Sequence, residues 1–182
     1  MAKVLVPLAK GFEELEAVTI IDLLRRAEIE VTVAGLDEGP IVASRGVVML
    51  ADVSLDQALT QDYDMVVLPG GVGGSDVLNA DSRIHDLLKK MADSERFTAA
   101  ICAAPKVLAN AGVIEGRIVT AFPGVLEALP QQDFSLSRDA VVTDGKIVTS
   151  RGPGTAIDFA LTLIAHLVSV AKRDAVEAQL KR

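Results

Sequence analysis

The sequence holds few sulfur and aromatic side chains. It has one cysteine, Cys102, no tryptophan, one tyrosine and five phenylalanines among 182 residues. A single cysteine excludes an internal disulfide framework and a metal site built from several thiolates. Because half of the residues are apolar but only 3% are aromatic, the core has to consist mainly of valine, isoleucine, leucine and alanine. This composition is typical of a parallel sheet that is covered by helices on both faces.

An excess of positive charge and long apolar segments are missing as well. The formal net charge is −7, and nucleic acid is not expected as a stable partner, because neutralising phosphates supplies most of that affinity. No apolar stretch has the roughly 20 residues of a membrane-spanning helix. The apolar run at residues 4–9 is too short for the core of a signal peptide. We therefore expect a soluble, cytoplasmic protein with no membrane partner.

Apolar runs and helical patterns alternate along the chain. Strands are predicted at residues 3–9, 30–36, 63–68, 97–101 and 117–120, and hairpins at 41–50 and 140–149. Helices are predicted at residues 13–27, 55–59, 82–94, 105–111, 154–170 and 175–180. In the second hairpin, Asp144-Gly145 has the composition of a two-residue turn.

This order predicts an α/β fold in a single domain over residues 1–182, with a doubly wound, mostly parallel sheet and helices on both faces. Sheets of this kind bind ligands outside the carboxyl ends of their strands. Three segments follow predicted strands in this way: residues 10–16, 69–74 and 102–105. We expect the functional site among these segments.

Cys102 lies where a predicted strand changes to a predicted helix, in the segment Ala99-Ala100-Ile101-Cys102-Ala103-Ala104-Pro105. The small residues after it permit the tight turn of a nucleophile elbow. A thiol there would face a helix N-terminus, which favours the thiolate, and the N–H of Ala103 would face a developing oxyanion. A free cysteine is also common as a small buried residue. On position alone the two interpretations are about equal.

Glu16 is the candidate acid or base. On a helical wheel it lies at the flank of the apolar face of the predicted helix at 13–27, so its carboxyl is expected to be partly desolvated and its pKa to rise. Glu13 and Glu14 lie in the first turn of that helix, where acidic residues complement the helix dipole. That simpler interpretation suits Glu13 and Glu14 better than it suits Glu16.

The glycine-rich segment 68–74 follows a buried strand. Its N–H groups are suited to an anion, but it lacks the Lys-Ser/Thr pair of a phosphate-binding loop and the glycine spacing of a dinucleotide fingerprint. A flexible turn is an equally good interpretation. The two histidines, His85 and His166, lie in predicted helices and are expected to be structural. No cluster has the spacing of metal ligands, so we expect no metal and no other cofactor.

Four segments closely resemble motifs of the ThiJ/PfpI superfamily: residues 8–16, 67–71, 99–105 and 149–155. They occur in the expected order, and the resemblance extends over nearly the whole chain. Within the superfamily they are similar to the clade of the Parkinson-associated protein DJ-one and bacterial YajL. The resemblance implies a flavodoxin-like homodimer in which Cys102 is an oxidation-sensitive nucleophile. It favours the nucleophile interpretation of Cys102 over that of a structural thiol.

The resemblance also implies the composition of the site. Glu16 would be the protonated hydrogen-bond partner of Cys102. The oxyanion-binding or substrate-binding residues would be Gly70, Gly71, Ala103, Arg45 and Arg26, with both arginines near the dimer interface and the mouth of the site. The implied activities are cofactor-independent glyoxalase chemistry on methylglyoxal and glyoxal, deglycation of early glycation adducts, and a redox-linked chaperone function.

The chain departs from this pattern at Phe122, where the Parkinson-associated member has a histidine and YajL-like members have phenylalanine. Without a histidine near the thiol in sequence, PfpI-type protease or glutamine-amidotransferase-like chemistry is not expected. The leading hypothesis is an enzyme in which Cys102 attacks a small 2-oxoaldehyde and Glu16 moves a proton between its two carbons. The alternative is a redox-responsive chaperone or oxidative-stress sensor that works through oxidation of the same thiol.

Overall fold

The structure, a computed structural model, describes residues 1–130 and 133–181. Its strands are β1 (Lys3–Leu8), β2 (Glu30–Gly35), β3 (Ile41–Val42), β4 (Val48–Met49), β5 (Val53–Ser54), β6 (Met65–Leu68), β7 (Phe97–Ile101), β8 (Ile118–Val119), β9 (Ser135–Leu136), β10 (Val141–Asp144) and β11 (Ile147–Ser150). Its α-helices are α1 (Glu14–Arg26), α2 (Leu55–Ala58), α3 (Val72–Ala80), α4 (Ser82–Asp93), α5 (Pro105–Asn110), α6 (Ala156–Leu167) and α7 (Val170–Leu180), with a 3₁₀ turn at Pro153–Thr155.

The main sheet has the strand order β10-β11-β7-β6-β1-β2-β5. Every neighbouring pair in it is parallel except β10 and β11, which form an antiparallel hairpin. Two small sheets lie outside it: the antiparallel pair β3–β4 and the parallel pair β8–β9. The prediction of a single-domain α/β fold with a mostly parallel sheet is therefore confirmed.

Alternate side chains of the central strands pack into two separate cores. In β1, Val4 and Val6 pack against α1 and α6 on one face of the sheet. Leu5 lies in the core on the other face, with residues of α2, α4 and α5. A strand that is buried on both faces has no polar side, which explains why β1 is a continuous apolar run rather than an alternating one.

The start of α1 determines where its acidic residues point. Glu13 is the N-cap residue, and its carboxylate accepts a hydrogen bond of 2.7 Å from the N–H of Glu16. Ile20 and Leu24, four residues apart on the same face, are fully buried in the core between the sheet and α6. Because Glu16 precedes Ile20 by four residues, it lies on the same buried face.

The structure differs from the sequence prediction at the glycine-rich segment. For the segment after β6 the sequence indicated an anion-binding loop or a flexible turn and no helix, yet α3 begins at Val72 and contains Gly73 and Gly74, although glycine disfavours a helix by about 1 kcal/mol relative to alanine. A Cβ at Gly74 would lie 2.7 Å from the backbone of Phe12. Packing against the loop after β1 thus requires glycine here, and this contact outweighs the low helix propensity.

Two predicted boundaries were also wrong. The turn of the β10–β11 hairpin is Gly145-Lys146 rather than Asp144-Gly145, because Asp144 still pairs with Ile147 and Gly145 takes the positive φ of 60°. The long apolar helix predicted at 154–170 ends at Leu167. Ser169 is extended and caps a new helix, α7, by accepting a hydrogen bond of 3.1 Å from the N–H of Lys172.

Candidate active site

Three loops meet at the carboxyl ends of β1, β6 and β7, the three neighbouring strands at the centre of the sheet. The N–H of Glu13, after β1, donates to the carbonyl of Gly70, after β6, at 2.9 Å. The N–H of Cys102, after β7, donates at 3.0 Å to the carbonyl of Ser150, at the end of β11. The structure therefore brings together the three segments that the sequence analysis expected to follow strands.

Cys102 is held in a strained backbone conformation. Its φ is 63°, in the left-handed region that favours glycine, and such a residue costs on the order of 1–3 kcal/mol unless its surroundings enforce it. Hydrogen bonds on both sides do so: its N–H donates to Ser150, and its carbonyl accepts from the N–H of Phe122 at 2.9 Å. The turn leaves the thiol partly exposed, with the N–H groups of Gly71 and Ala103 donating to the sulfur.

Glu16 is fully buried beside this thiol. Its Oε2 accepts a hydrogen bond of 2.8 Å from the N–H of Gly70, while its Oε1 has no hydrogen-bond partner among the described residues. Burial raises the pKa of Glu16 to about 7, although the N–H of Gly70 and the neighbouring thiol of Cys102 act in the opposite direction. The carboxyl group therefore exchanges its proton near neutral pH, the range in which a general acid and base is most effective.

The thiol itself is not acidified. Burial and the negative charge of Glu16 raise the pKa of Cys102 to about 12, although the N–H groups of Gly71 and Ala103 act in the opposite direction. We had expected the helix N-terminus to favour the thiolate, but α5 has only six residues and desolvation outweighs it. Because burial and the charge of Glu16 both favour the neutral thiol, the carboxyl of the pair loses its proton before the sulfur does.

A cavity of about 360 Å³ opens above the thiol. Its wall includes Arg45, Gly71, Val72, Ala103, Phe122 and Val125. Glu14 fixes the Arg45 side of this wall: its carboxylate accepts from the N–H of Arg45 at 2.7 Å and from the hydroxyl of Ser44 at 2.8 Å. The sequence analysis gave Glu14 only a helix-dipole function, since no sequence pattern connects residues about 30 positions apart.

Two of the residues expected to bind substrate lie elsewhere. Arg26 is the last residue of α1, pairs with Asp22 at 2.6 Å and does not line the cavity. The N–H of Gly70 is directed to Glu16 rather than to the sulfur. Gly70 is instead required by space, because a Cβ there would lie 2.5 Å from Oε2 of Glu16 and 2.6 Å from the Cβ of Cys102.

Neither histidine takes part in the site. His85 contacts the carbonyl of Asn79 at 2.8 Å, and His166 contacts the hydroxyl of Thr143 at 3.1 Å. Phe122 occupies the wall of the cavity instead. Within residues 1–130 and 133–181, no group of three or more His, Cys, Asp or Glu side chains is arranged to hold a metal ion, and no helix is long and apolar enough to cross a membrane.

Comparison with known proteins gives a consistent result. The model of the DJ-1/PfpI family matches residues 2–166. The chain belongs to the DJ-1/PfpI family. It is 46% identical over 169 residues to Drosophila melanogaster protein dj-1beta, covering 92% of this chain and 90% of that protein. The crystal structure of Drosophila DJ-1beta superimposes with a TM-score of 0.94 at 44% identity, covering 98% of this chain and 97% of the other.

Other relatives in the family differ in length and in the activity their names record. The chain is 44% identical over 164 residues to Arabidopsis thaliana protein DJ-1 homolog B, which covers 89% of this chain but only 37% of that longer protein. It is 32% identical over 164 residues to the glutathione-independent glyoxalase DJR-1.2 of Caenorhabditis elegans, covering 90% of this chain and 87% of that enzyme. The family therefore includes a glyoxalase of nearly the same length.

Proposed function

We propose that this chain is a cofactor-independent enzyme that converts 2-oxoaldehydes such as methylglyoxal and glyoxal, free or as early glycation adducts, into 2-hydroxy acids in the cytoplasm. The observation that carries the proposal is the contact between the only thiol and a fully buried carboxyl whose pKa is about 7. The C. elegans glyoxalase in the same family supports the choice of reaction.

The first step forms a carbon–sulfur bond. Glu16, as carboxylate, takes the proton of Cys102, and the sulfur attacks the aldehyde carbon, C1. This gives a hemithioacetal, whose oxygen is stabilised by N–H donors at Gly71 and Ala103. Donors of this kind contribute about 2.7–4 kcal/mol each to oxyanion stabilisation. Transfer of the thiol proton to Glu16 accompanies the attack of the sulfur, so no preformed thiolate is needed although burial raises the pKa of Cys102 to about 12.

The second step moves a proton between neighbouring carbons. Glu16 returns its first proton to the hemithioacetal oxygen, removes the hydrogen of C1 as a proton, and delivers it to C2 through an enediol. The hydroxyl proton of C1 passes to the oxygen of C2 in the same isomerisation. C1 is oxidised and C2 is reduced by the same amount, so no external oxidant or redox cofactor is required. The product is a thioester of the 2-hydroxy acid on Cys102. Water hydrolyses the thioester and restores the thiol.

Turnover of methylglyoxal to lactate by purified protein tests this proposal. Cys102→Ser and Glu16→Gln are expected to lower kcat/KM at least about a hundredfold, in line with the contribution of a positioned acid or base. Glu28→Gln, a change of the same kind at an exposed and remote residue, is expected to match the wild type. Equal rates in all four proteins would overturn the proposal. Replacing methylglyoxal by its hemithioacetal with N-acetylcysteine measures activity on an early adduct.

A second candidate function is a redox-responsive chaperone or oxidative-stress sensor. It is favoured by the partial exposure of Cys102 and by the N–H groups of Gly71 and Ala103, which are placed to bind the oxygens of an oxidised sulfur. A peroxide would supply the oxygen. Intact-mass measurement after mild peroxide treatment should show one or two added oxygen atoms in wild type and none in Cys102→Ser. If the protein suppresses aggregation of a client protein equally well before and after this oxidation, the proposed redox switch is refuted.

We further propose that the chain forms a homodimer through the face that joins α1 to the β3–β4 hairpin. Leu15, Val18, Val47 and Val48 are all exposed there, and Glu14 ties the helix to the hairpin. Sedimentation equilibrium should show a dimer that Val48→Lys dissociates. Val170→Lys, at an equally exposed residue far along the chain, serves as the control. A monomeric wild type would contradict the proposal.

A further inference from the structure

A second cavity adjoins the one above Cys102. It has a volume of about 570 Å³, and its wall includes Ala121, Pro123, Arg138 and Arg151. Neighbouring residues of one segment line the two cavities: Phe122 lines the first, while Ala121 and Pro123 line the second. Phe122 also packs against Gly152, where a Cβ would lie 3.3 Å from its ring. The two residues next to Gly152 also line different cavities: Pro153 lines the first and Arg151 lines the second.

The arginines of the chain fall into two groups. Within residues 1–130 and 133–181, six of them form ion pairs with carboxylates: Arg25, Arg26, Arg83, Arg96, Arg117 and Arg173. The other three are Arg45, Arg138 and Arg151, and each lines one of the two adjoining cavities. In a chain with 25 acidic and 18 basic residues other than histidine, guanidinium groups without a carboxylate partner are concentrated at this one place.

The second cavity holds its guanidinium groups ready for an external anion. Nη1 of Arg151 donates to the carbonyl of Arg138 at 2.9 Å, which fixes the position of the half-buried Arg151 side chain and leaves its other donors for a ligand. The cavity also contains one acid, Glu127, whose Oε2 accepts from the N–H of Gly124 at 3.0 Å and is thus turned toward its own loop. The wall as a whole is positively charged.

We propose that Arg138 and Arg151 bind an oxyanion, carboxylate or phosphate, on a substrate whose aldehyde reaches Cys102. This inference rests on the proposed function and specifies its substrate class: 2-oxoaldehydes extended by an acidic group. A guanidinium presents a planar fork of donors that matches carboxylate and phosphate oxygens. Methylglyoxal carries no acidic group for these two arginines, so it is a minimal substrate rather than the preferred one.

Competing substrates test the proposal kinetically. The ratio of kcat/KM for 4,5-dioxopentanoate, a 2-oxoaldehyde with a carboxylate, to that for methylglyoxal is measured in wild type, Arg138→Gln, Arg151→Gln and the control Arg173→Gln. We expect the ratio to fall about tenfold or more in the first two variants, since a hydrogen bond to a charged group contributes about 1.5–3 kcal/mol, and the change to appear in KM. An unchanged ratio, or an equal fall in Arg173→Gln, would overturn the proposal.

A binding measurement separates this inference from the proposed function. Inorganic phosphate or acetate is titrated into wild-type protein at constant ionic strength, and the arginine Nε–Hε resonances are followed by NMR, with assignments from Arg138→Gln and Arg151→Gln. Saturable shifts of these two resonances support the site. A stronger response to phosphate indicates a phosphorylated substrate, and a stronger response to acetate a carboxylate. No saturable shift with either anion overturns the proposal, even if methylglyoxal is turned over. A protein that binds the anions but converts no 2-oxoaldehyde refutes the proposed function instead.

Discussion

A cavity at the amino ends of the strands can be compared with the cavity above Cys102 at their carboxyl ends. The two differ in chemistry more than in size. The cavity at the amino ends of the strands, here the amino-end cavity, measures about 460 Å³ and is lined by Met1, Arg96, Phe97, Lys146 and His166. The cavity above Cys102 measures about 360 Å³. Both cavities contain titratable groups. Neither the volume of a cavity nor the presence of titratable groups is therefore enough to identify the candidate active site.

The difference lies in how the charged groups are compensated. In the amino-end cavity Arg96 pairs with Asp64 at 3.5 Å, and Nζ of Lys146 lies 4.2 Å from the ring centre of Phe97. Burial and the charge of Lys146 lower the pKa of His166, which favours its neutral form. At the other end, burial raises the pKa of Glu16 to about 7, and Oε1 has no hydrogen-bond partner within residues 1–130 and 133–181. A desolvated acid beside a thiol is what distinguishes the candidate active site from the amino-end cavity.

The largest expected effect that tests this contrast is the pH dependence of turnover. The proposed mechanism requires ionised Glu16, so kcat/KM for methylglyoxal should rise about tenfold per pH unit from about pH 5 and level off above the pKa of about 7. His166→Gln should leave this profile unchanged, although histidine titrates in the same range. If His166→Gln changes the pH profile and Glu16→Gln does not, the titrating group lies in the amino-end cavity and the proposed role of Glu16 is wrong.

A smaller effect is expected on stability. The pKa of Glu16 is raised on folding from 4.5 to about 7, so its contribution to stability is fully present below pH 4.5 and is lost as the pH rises through 7. At about 1.36 kcal/mol per unit, the loss amounts to about 3 kcal/mol. The difference in unfolding free energy between wild type and Glu16→Gln, measured in urea at pH 4.5 and 8, should change by this amount. A constant difference would show that Glu16 is not desolvated.

Glycine-to-alanine substitutions compare the packing around Cys102 with that of an open surface position. Gly70→Ala places a Cβ against Glu16 and Cys102 and should destabilise the fold by about 1–3 kcal/mol, as overpacking does. Gly154→Ala meets no atom within 4 Å and should stay within about 0.5 kcal/mol of wild type. Equal denaturation midpoints for both variants would mean that the region around Gly70 is not tightly packed.

The smallest expected change in stability is that of a substitution in the amino-end cavity. Lys146→Gln removes the contact with Phe97, which at an exposed position contributes about 0.5–1 kcal/mol. It should also move the pKa of His166 upward toward its ordinary value, because a neighbouring positive charge is lost. NMR titration of the His166 ring reports the shift. A downward shift or none would contradict the charge interaction, and any loss of methylglyoxal turnover would contradict the separation of the two ends.

The sequence predicted the strands and helices that bury their side chains regularly. β1, α1, β7 and α5 lie where periodicity and the position of Pro105 indicated, with ends that differ by a residue or two. It did not predict α3, because the contact that permits a glycine-containing helix is made with Gly11 and Phe12, about 60 residues away. Nor did it predict β5 and β9, which have two residues each and are too short to show an alternating pattern.

The site was predictable to a similar degree. The position of Cys102 at a strand end and of Glu16 on an apolar helix face follows from patterns that span only a few residues, and the structure places both at one point. The raised pKa of the thiol was missed, because it depends on the charge of Glu16 and on burial by elements distant in sequence. The binding of Glu14 to the Arg45 turn and the position of Arg26 away from the cavity likewise depend on contacts that periodicity does not encode.

The left-handed backbone conformation at Cys102 lowers the stability of the fold, while the proposed chemistry requires the thiol at this position. Glycine adopts this conformation freely, so Cys102→Gly should relax the turn, and a chain selected for stability alone would lose its only thiol. A thiol at a position where the backbone favours glycine agrees with the proposed role of Cys102 as a nucleophile. Under that proposal, screens for more stable variants of this protein should exclude position 102, since the replacement that relaxes the turn removes the thiol.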